Sequence, residues 1–339
     1  MCDVSVPTPQ NSPVKIMLRH HLIAALLSTV ATVWVPTASA QTYPAKTVRI
    51  IVPFAIGGPA DIYARFVGQR LQESLGQTFV VENRTGAGAV IGTEAAAKSL
   101  PDGYTLLMMS NTHTANETLI ASRPYELMRD FVAVAGINMS ANVLVVHPSV
   151  AANSVQALVT LARAQPFKLN YASSGNGTPY HIAGEQFRAL AGIEVVHVPY
   201  RGSSGARADI LAGQVQYMFD AVPTMVQNIR AGKVRALAVT GLKRSPLLPE
   251  LPTMQEAGIA GYESSIWLGI MAPAKTPRDV VVALNGEINK AIGRAGTRDE
   301  WAKQGADAMV MSVTEFDRFI REDITRQGLI IKLSGAKAD

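Results

Sequence analysis

Short runs of β-branched and aliphatic residues alternate along this chain with longer stretches whose apolar positions recur every three to four residues. The runs at 48–53, 78–82, 104–110, 143–147, 169–172, 194–199, 215–220 and 234–240 predict strands, being short, apolar and bounded by polar or glycine-rich breaks. Helical spacing fills the intervals. Over 61–75 it predicts a helix with Ile62, Phe66, Leu71 and Leu75 on one face. Ser154 is placed to cap a helix that buries Val155, Leu158 and Leu161. Pro277 opens another through Val280, Leu284 and Ile288, closed by Gly293, and Ser312 with Glu315 forms a capping box ahead of Phe316, Phe319 and Ile320. Such a rhythm predicts an α/β fold of mostly parallel sheets flanked by helices.

The start of the chain has a different pattern. Lys15, Arg19, His20 and His21 precede an uncharged stretch, 22–35, followed by Pro36 and the small residues Ala38-Ser39-Ala40. This order describes a secretory signal cleaved after Ala40, with an apolar core too short for a permanent membrane span. Translation then begins at Met1, or at Met17 with 1–16 lying upstream. The single cysteine, Cys2, falls before the cleavage site, so the exported chain relies on its core rather than on disulfides. The length suits two domains. A net charge of +5, spread without a basic run, argues against nucleic acid and mildly favours anionic ligands.

In open α/β sheets ligands sit beyond the carboxyl ends of strands, where loops enter helix N-termini. The first strand runs into Phe54-Ala55-Ile56-Gly57-Gly58-Pro59-Ala60-Asp61, whose glycines let backbone amides approach an anion. Asp61 reads as the cap of the following helix or as a ligand contact. A second loop, Ser173-Ser174-Gly175-Asn176-Gly177-Thr178, offers hydroxyls, an amide and backbone donors before a helix with His181. It holds a carboxylate through neutral donors or is an ordinary turn. Tyr200, at a strand end, walls a cleft or covers the core. Asp220 either caps the next helix or meets a ligand amine, in which case the ligand is zwitterionic. Arg201 reads as a solvated arginine.

Other chemistries fit poorly. A hydrolase built from Ser173, His181 and Asp220 lacks the G-x-S-x-G elbow. Gly86, Gly88 and Gly92 are spaced G-x-G-x-x-x-G, away from the dinucleotide pattern, and His113, His147, His181 and His197 show no metal-ligand spacing. No cofactor and no metal is expected.

The order of motifs resembles the periplasmic receptors of tripartite tricarboxylate transporters, the Bug receptors, over nearly the whole exported chain. It is carried by Tyr43-Pro44, Val52-Pro53-Phe54 with Gly57-Gly58 and Asp61-Ile62, Val81-Glu82-Asn83-Arg84 with Gly86-Ala87-Gly88, and Pro101-Asp102-Gly103-Tyr104. Further along stand Leu169-Asn170-Tyr171-Ala172-Ser173 with Gly175-Asn176-Gly177, His197-Val198-Pro199-Tyr200, Gly213-Gln214-Val215, Met218-Phe219-Asp220, Leu251-Pro252-Thr253 and Ala272-Pro273. The resemblance implies a two-lobed periplasmic-binding-protein fold, a type II Venus flytrap. It divides into lobe one, 41–140 plus 267–339, and lobe two, 141–266.

It further implies a receptor, not an enzyme, that acts as a monomer in the periplasm. Such a receptor binds a small carboxylate between its lobes and delivers it to integral-membrane transporter subunits; feeding a signalling system is the other reading. Carried over by position, the ligand-binding residues are Phe54, Gly57, Gly58 and Asp61 on one side and Ser173, Gly175, Asn176 and Thr178 on the other. Asn111, Thr112, His181, Tyr200 and Asp220 complete the expected cleft. Ile56 and Ala60 depart from the family's common proline and small polar residue, which bears on specificity rather than fold. Citrate-like acids, dicarboxylates, acidic amino acids and aromatic acids all suit such a grip.

Overall fold

The computed structural model describes residues 1–7 and 43–337; the expected signal core and cleavage site lie outside the described residues. Strands β1 (Val48–Val52), β2 (Phe79–Asn83) and β3 (Thr105–Ser110) are joined by helices α1 (Pro59–Leu75) and α2 (Val90–Ala97). Helices α3 (Asn111–Leu119) and α4 (Leu127–Asp130) lead into a long strand, β4 (Phe131–Val146). The second half continues with α5 (Val155–Ala164), β5 (Asn170–Ser173), α6 (Pro179–Ala191), β6 (Val196–Pro199), α7 (Ser203–Leu211), β7 (Tyr217–Ala221), α8 (Val222–Arg230) and β8 (Arg235–Val239). The chain then returns through β9 (Ser265–Pro273), α9 (Arg278–Ile292), α10 (Ala295–Ala302), β10 (Ala306–Ala308) and α11 (Val313–Ser334).

The pairing repeats itself. Strand β1 lies parallel to β2 and β3, and β5 lies parallel to β6 and β7. Antiparallel β9 and β4 join the two triplets, giving the order β2-β1-β3-β9-β4-β7-β5-β6. Residues 131–141 of β4 pair with β9, and 142–146 pair with β7. One strand thus belongs to both halves of a two-lobed α/β fold. Its sheets are mixed rather than mostly parallel, because the strands that cross between the halves run against their neighbours.

Both faces of the central strands are covered, which is why β1, β3, β7 and β9 are apolar nearly throughout rather than alternating, while the edge strands β2 and β6 are part-exposed. Val48, Ile50 and Val52 pack under α1 and α9, while Ile51, Leu107 and Met109 meet Trp267 and Phe316 on the other side. In the second half Leu144, Tyr171, Tyr217 and Phe219 form one layer and Val143, Val145, Ala172 and Met218 the other. The helix caps at Ser154 and at Ser312 with Glu315 form as the spacing predicts. The apolar stripe of α1 differs from expectation. Tyr63, Ala64, Val67 and Leu71 are buried while Ile62 faces solvent, since a 60/64/67/71 set follows the helical period more closely than 62/66/71/75. Each large member of that stripe contributes roughly 1.5–3 kcal/mol by leaving water.

The first half of β4, together with β9 and β10, is absent from the expected strands. Two register shifts in its pairing with β9 break the two-residue alternation of β4. Strand β9 carries a central glycine, Gly269, because Phe316 lies over it: a Cβ there would sit 2.1 Å from the Phe316 ring. Among the described residues no helix is long and apolar enough to cross a membrane.

Candidate functional site

Four strands end at one place. The carboxyl ends of β1, β3, β5 and β6 feed α1, α3, α6 and α7, and the N-termini of all four helices line a cavity of about 30 Å³. Its wall includes Gly58 and Ala60 of α1, the cap Ser110 of α3, Pro179 and Tyr180 of α6, and Gly202 and Ser203 of α7. Phe54, Ser174 and Gly202 also border a wider cleft of about 500 Å³, which continues along Thr85–Val90 and past Ile120, Asn176, Thr178 and Tyr200. Helix N-termini carry unpaired amides and positive partial charge, so a cavity that gathers four of them favours an anion.

The two principal loops share one construction. Gly57 and Gly177 have φ of 76° and 73°, each is followed by a cap residue, and Pro59 and Pro179 then open the helix. In each helix a first-turn side chain reaches back for the glycine amide: Gly57 N–H donates to Asp61 Oδ2 at 3.0 Å, and Gly177 N–H donates to His181 Nδ1 at 3.1 Å. Both acceptors are buried.

Asp61 is therefore not the cap; Gly58 is, and Asp61 sits in the first turn with its carboxylate turned into the loop. Asn83 donates to Asp61 Oδ1 at 3.0 Å and to the Phe54 carbonyl at 3.0 Å, and Arg65 pairs with Asp61 at 2.9 Å. Burial pushes the Asp61 carboxyl up, and the bonds from Arg65, Gly57 and Asn83 outweigh it, leaving the carboxyl below its usual range. The amides of Gly57 and Gly58, expected to meet a ligand, are engaged within the loop in this structure. Gly57 N–H is held by Asp61, and Gly58 N–H bonds to the Ala55 carbonyl at 3.3 Å. Pro59 has no N–H, so Ala60 presents the first amide of α1 that makes no hydrogen bond among the described residues.

On the opposite side Ser173 is fully buried. Its hydroxyl accepts from Gly175 N–H at 3.1 Å and lies 2.6 Å from His197 Nε2, while Thr178 Oγ donates to the Gly175 carbonyl at 2.7 Å. His197 stacks between Tyr171 and His181, at 4.8 and 4.2 Å between ring centres. Burial and then the neighbouring His181 hold the His197 imidazole down at about 3. The loop thus rests on a stack of rings whose middle member, His197, is kept uncharged.

The remaining expected residues divide. Phe54, Gly58, Gly175, Asn176, Thr178 and Tyr200 line the cavity or the cleft. The ring of Tyr200 is a wall, but its hydroxyl is committed to Asp209 at 2.5 Å. Gly57, Asp61, Ser173 and His181 stand behind the lining and shape it. Asn111 and Thr112 are displaced from it: Asn111 Nδ2 donates to the Ser265 carbonyl at 2.9 Å, and Thr112 is buried one residue further along α3. Their neighbour Ser110 lines the cavity instead. Asp220 is not in the lining either but stands behind Tyr180, with its carboxylate 2.8 Å from Arg207 and accepting from Ala221 N–H and Thr224 Oγ. No ligand amine is needed to balance it. The triad drawn from Ser173, His181 and Asp220 does not assemble, since these three side chains bond to His197, Gly177 and Arg207 respectively.

Sequence reasoning passed over Ser110, Gly202 and Ser203, and read Arg201 as solvated only. The signal for Gly202 and Ser203 was the glycine and serine of Gly202-Ser203-Ser204-Gly205 after a strand, the same grammar as the other two loops. Across the cleft Gly202 packs on Ala55 and Gly58 on Ser203, so the lobes touch through small residues.

Comparison with known proteins agrees with this geometry. Residues 63–336 match the model of the tripartite tricarboxylate transporter family receptor. BugT of Bordetella pertussis is 38% identical over 301 residues, covering 88% of this chain and 92% of that protein. The solved structure of Rhodopseudomonas palustris Rpa4515 with adipate superposes with a TM-score of 0.84 at 34% identity, over 87% of this chain and 99% of that one. MatC from Rhodopseudomonas palustris with bound malate gives 0.81 at 28% identity, over 85% and 100%. Together with the paired loops and the cavity between them, these matches place the chain in the tripartite tricarboxylate transporter receptor family, the solute-binding Bug receptors.

Proposed function

We propose that this protein is an exported receptor that closes around a small carboxylate and hands it to the integral-membrane subunits of a tripartite transporter. The observation that carries the reading is the convergence of four helix N-termini on one cavity between the lobes. A carboxylate there meets dipoles and amides without a buried countercharge, so it leaves no unpaired ion behind when it departs. Lobe one is taken as 41–140 plus 267–339 and lobe two as 141–266; the change of partner along β4 between residues 141 and 142 supports that division. Closure brings Ala55 onto Gly202 and Gly58 onto Ser203. The protein does no chemistry on what it binds.

Thermal melts against a carboxylate panel test the receptor reading. A true ligand raises the melting temperature by mass action, by about 2.7 kcal/mol at a hundredfold excess over its dissociation constant. Ligand recovered unchanged after incubation is the accompanying expectation. A panel in which no carboxylate shifts the melt, or in which the bound acid is converted, overturns the proposal.

A further inference from the structure

Behind the ligand cavity lies a second hollow. A groove of about 250 Å³ runs between α6 and the second half of α11, and its lining is completed by Asn111 and by residues of the segment 261–265 that leads into β9. It backs onto the cavity. Pro179 lines both, and Asn111 and Ser265 of the groove are chain neighbours of Ser110 and Ile266 of the cavity.

The groove has aliphatic walls. Ile182 comes from α6, Ile330 and Leu333 come from α11, and Leu333 is 83% exposed. Its charges are sorted differently from those of the cleft. Arg326 is already paired with the buried Asp323. Glu263 is exposed and, among the described residues, makes neither a hydrogen bond nor an ion pair. Asn111 is 5% exposed; its Nδ2 donates to the Ser265 carbonyl, and its Oδ1 has no partner among the described residues. Turning the amide over would set Oδ1 against that same carbonyl, so the unpartnered atom stays an acceptor. The charge left over in the groove is therefore negative, and the buried atom left over wants a donor.

We propose that this groove is a second binding site, separate from the cleft, for a small primary alkylammonium ion whose binding ties the lobes together. An ammonium group has three N–H donors and no acceptor, which answers both Glu263 and Asn111, while a short alkyl chain covers Ile182, Ile330 and Leu333. In the division proposed above, Ile182 and Glu263 belong to lobe two and the α11 residues to lobe one. An occupant that touches both favours the arrangement in which they face each other.

Calorimetry on the exported form with butylammonium chloride tests the proposal, at an ionic strength held constant with sodium chloride. Two controls separate its parts: 1-butanol has the chain without the charge, and ammonium chloride has the charge without the chain. Butylammonium is expected to bind more tightly than either by about tenfold or more, the size of one hydrogen bond to a charged group. Glu263→Gln should remove the advantage over butanol, and Leu333→Ser should weaken binding by about threefold or more through the lost apolar wall. Both positions are exposed, so the unliganded variants should melt as the wild type does. Small-angle scattering is expected to show butylammonium compacting the wild type and leaving Glu263→Gln unchanged. Binding of butanol or ammonium as tight as that of butylammonium, an affinity unchanged in Glu263→Gln, or no binding at all overturns the site. Binding that depends on Glu263 but leaves the scattering of the wild type unaltered overturns the tie between the lobes. The receptor reading stands through all of these outcomes, since it concerns acids in the cleft.

Discussion

His181 does for Gly177 in one lobe what Asp61 does for Gly57 in the other: each accepts the amide of a left-handed glycine from the first turn of the following helix. A ring nitrogen and a carboxylate oxygen fill equivalent positions because both are acceptors of the right reach. Removing the acceptor should loosen the loop. His181→Ala is expected to cost about 1–3 kcal/mol of stability, the range for a buried donor left unsatisfied, and to weaken ligand binding along with it. His181→Asn, which restores an acceptor, should recover part of both. Chemical denaturation and calorimetry read the two effects, and a His181→Ala protein with unchanged affinity would show that the loop is held by other means.

The lobes meet through Gly202, whose φ of 135° suits glycine and whose Cβ, if present, would sit 2.3 Å from that of Ala55. Gly202→Ala should keep the lobes apart. Small-angle scattering is expected to show the wild type compacting with ligand and the variant staying extended, with affinity reduced by about tenfold or more, since a ligand draws closure only through its extra contacts in the closed state. Adding Ala55→Gly should restore part of the compaction. Normal closure in the single variant would mean that the loop yields more easily than its packing suggests.

Acid should destabilise the protein through two desolvated imidazoles, His113 buried and His197 half-buried. Burial, opposed by a hydrogen bond to Ser110, holds His113 at about 4, and His197 lies at about 3. Both titrate near 6.5 when unfolded, so between 6.5 and those values the unfolded chain binds more protons. Stability therefore falls as the pH is lowered through that window, by about 2 kcal/mol for each histidine at pH 5. Urea midpoints between pH 7 and pH 4.5 measure the slope. His197→Gln should flatten it, and a midpoint indifferent to pH in this range would contradict the lowered values of the two imidazoles.

Asp220 and Arg207 form a pair in which the carboxylate is wholly buried. Arg207→Met should destabilise by about 3–5 kcal/mol, because a charge is left without its partner. An amine-bearing ligand should not rescue it, as Tyr180 and not Asp220 lines the cavity. Rescue by 2-amino acids, seen as a recovered melting temperature, would return Asp220 to the ligand site.

Much of this was legible in the chain. Eight strands and the caps at Ser154 and Ser312 could be read because each follows from local spacing or one hydrogen bond. The site was legible as loops but not as atoms. Which amide a glycine keeps for itself depends on a side chain four residues on, as Asp61 does with Gly57, and pattern alone does not fix a side chain's direction. Asp220 misled for the same reason, its partner Arg207 lying on a different element. The central strands were hidden because Gly269 and the irregular register of β4 answer to residues distant in sequence.

Strand β4 also governs when the protein can fold. Its first eleven residues pair with β9, roughly 130 positions further along, a separation that slows folding because the loop must close before any contact rewards it. During synthesis the first parallel triplet has no finished neighbour until Ser265–Pro273 has left the ribosome, so nearly the whole polypeptide exists before its earliest sheet is complete. A chain that postpones its own completion stays unfolded for most of its synthesis, the state that the proposed export requires.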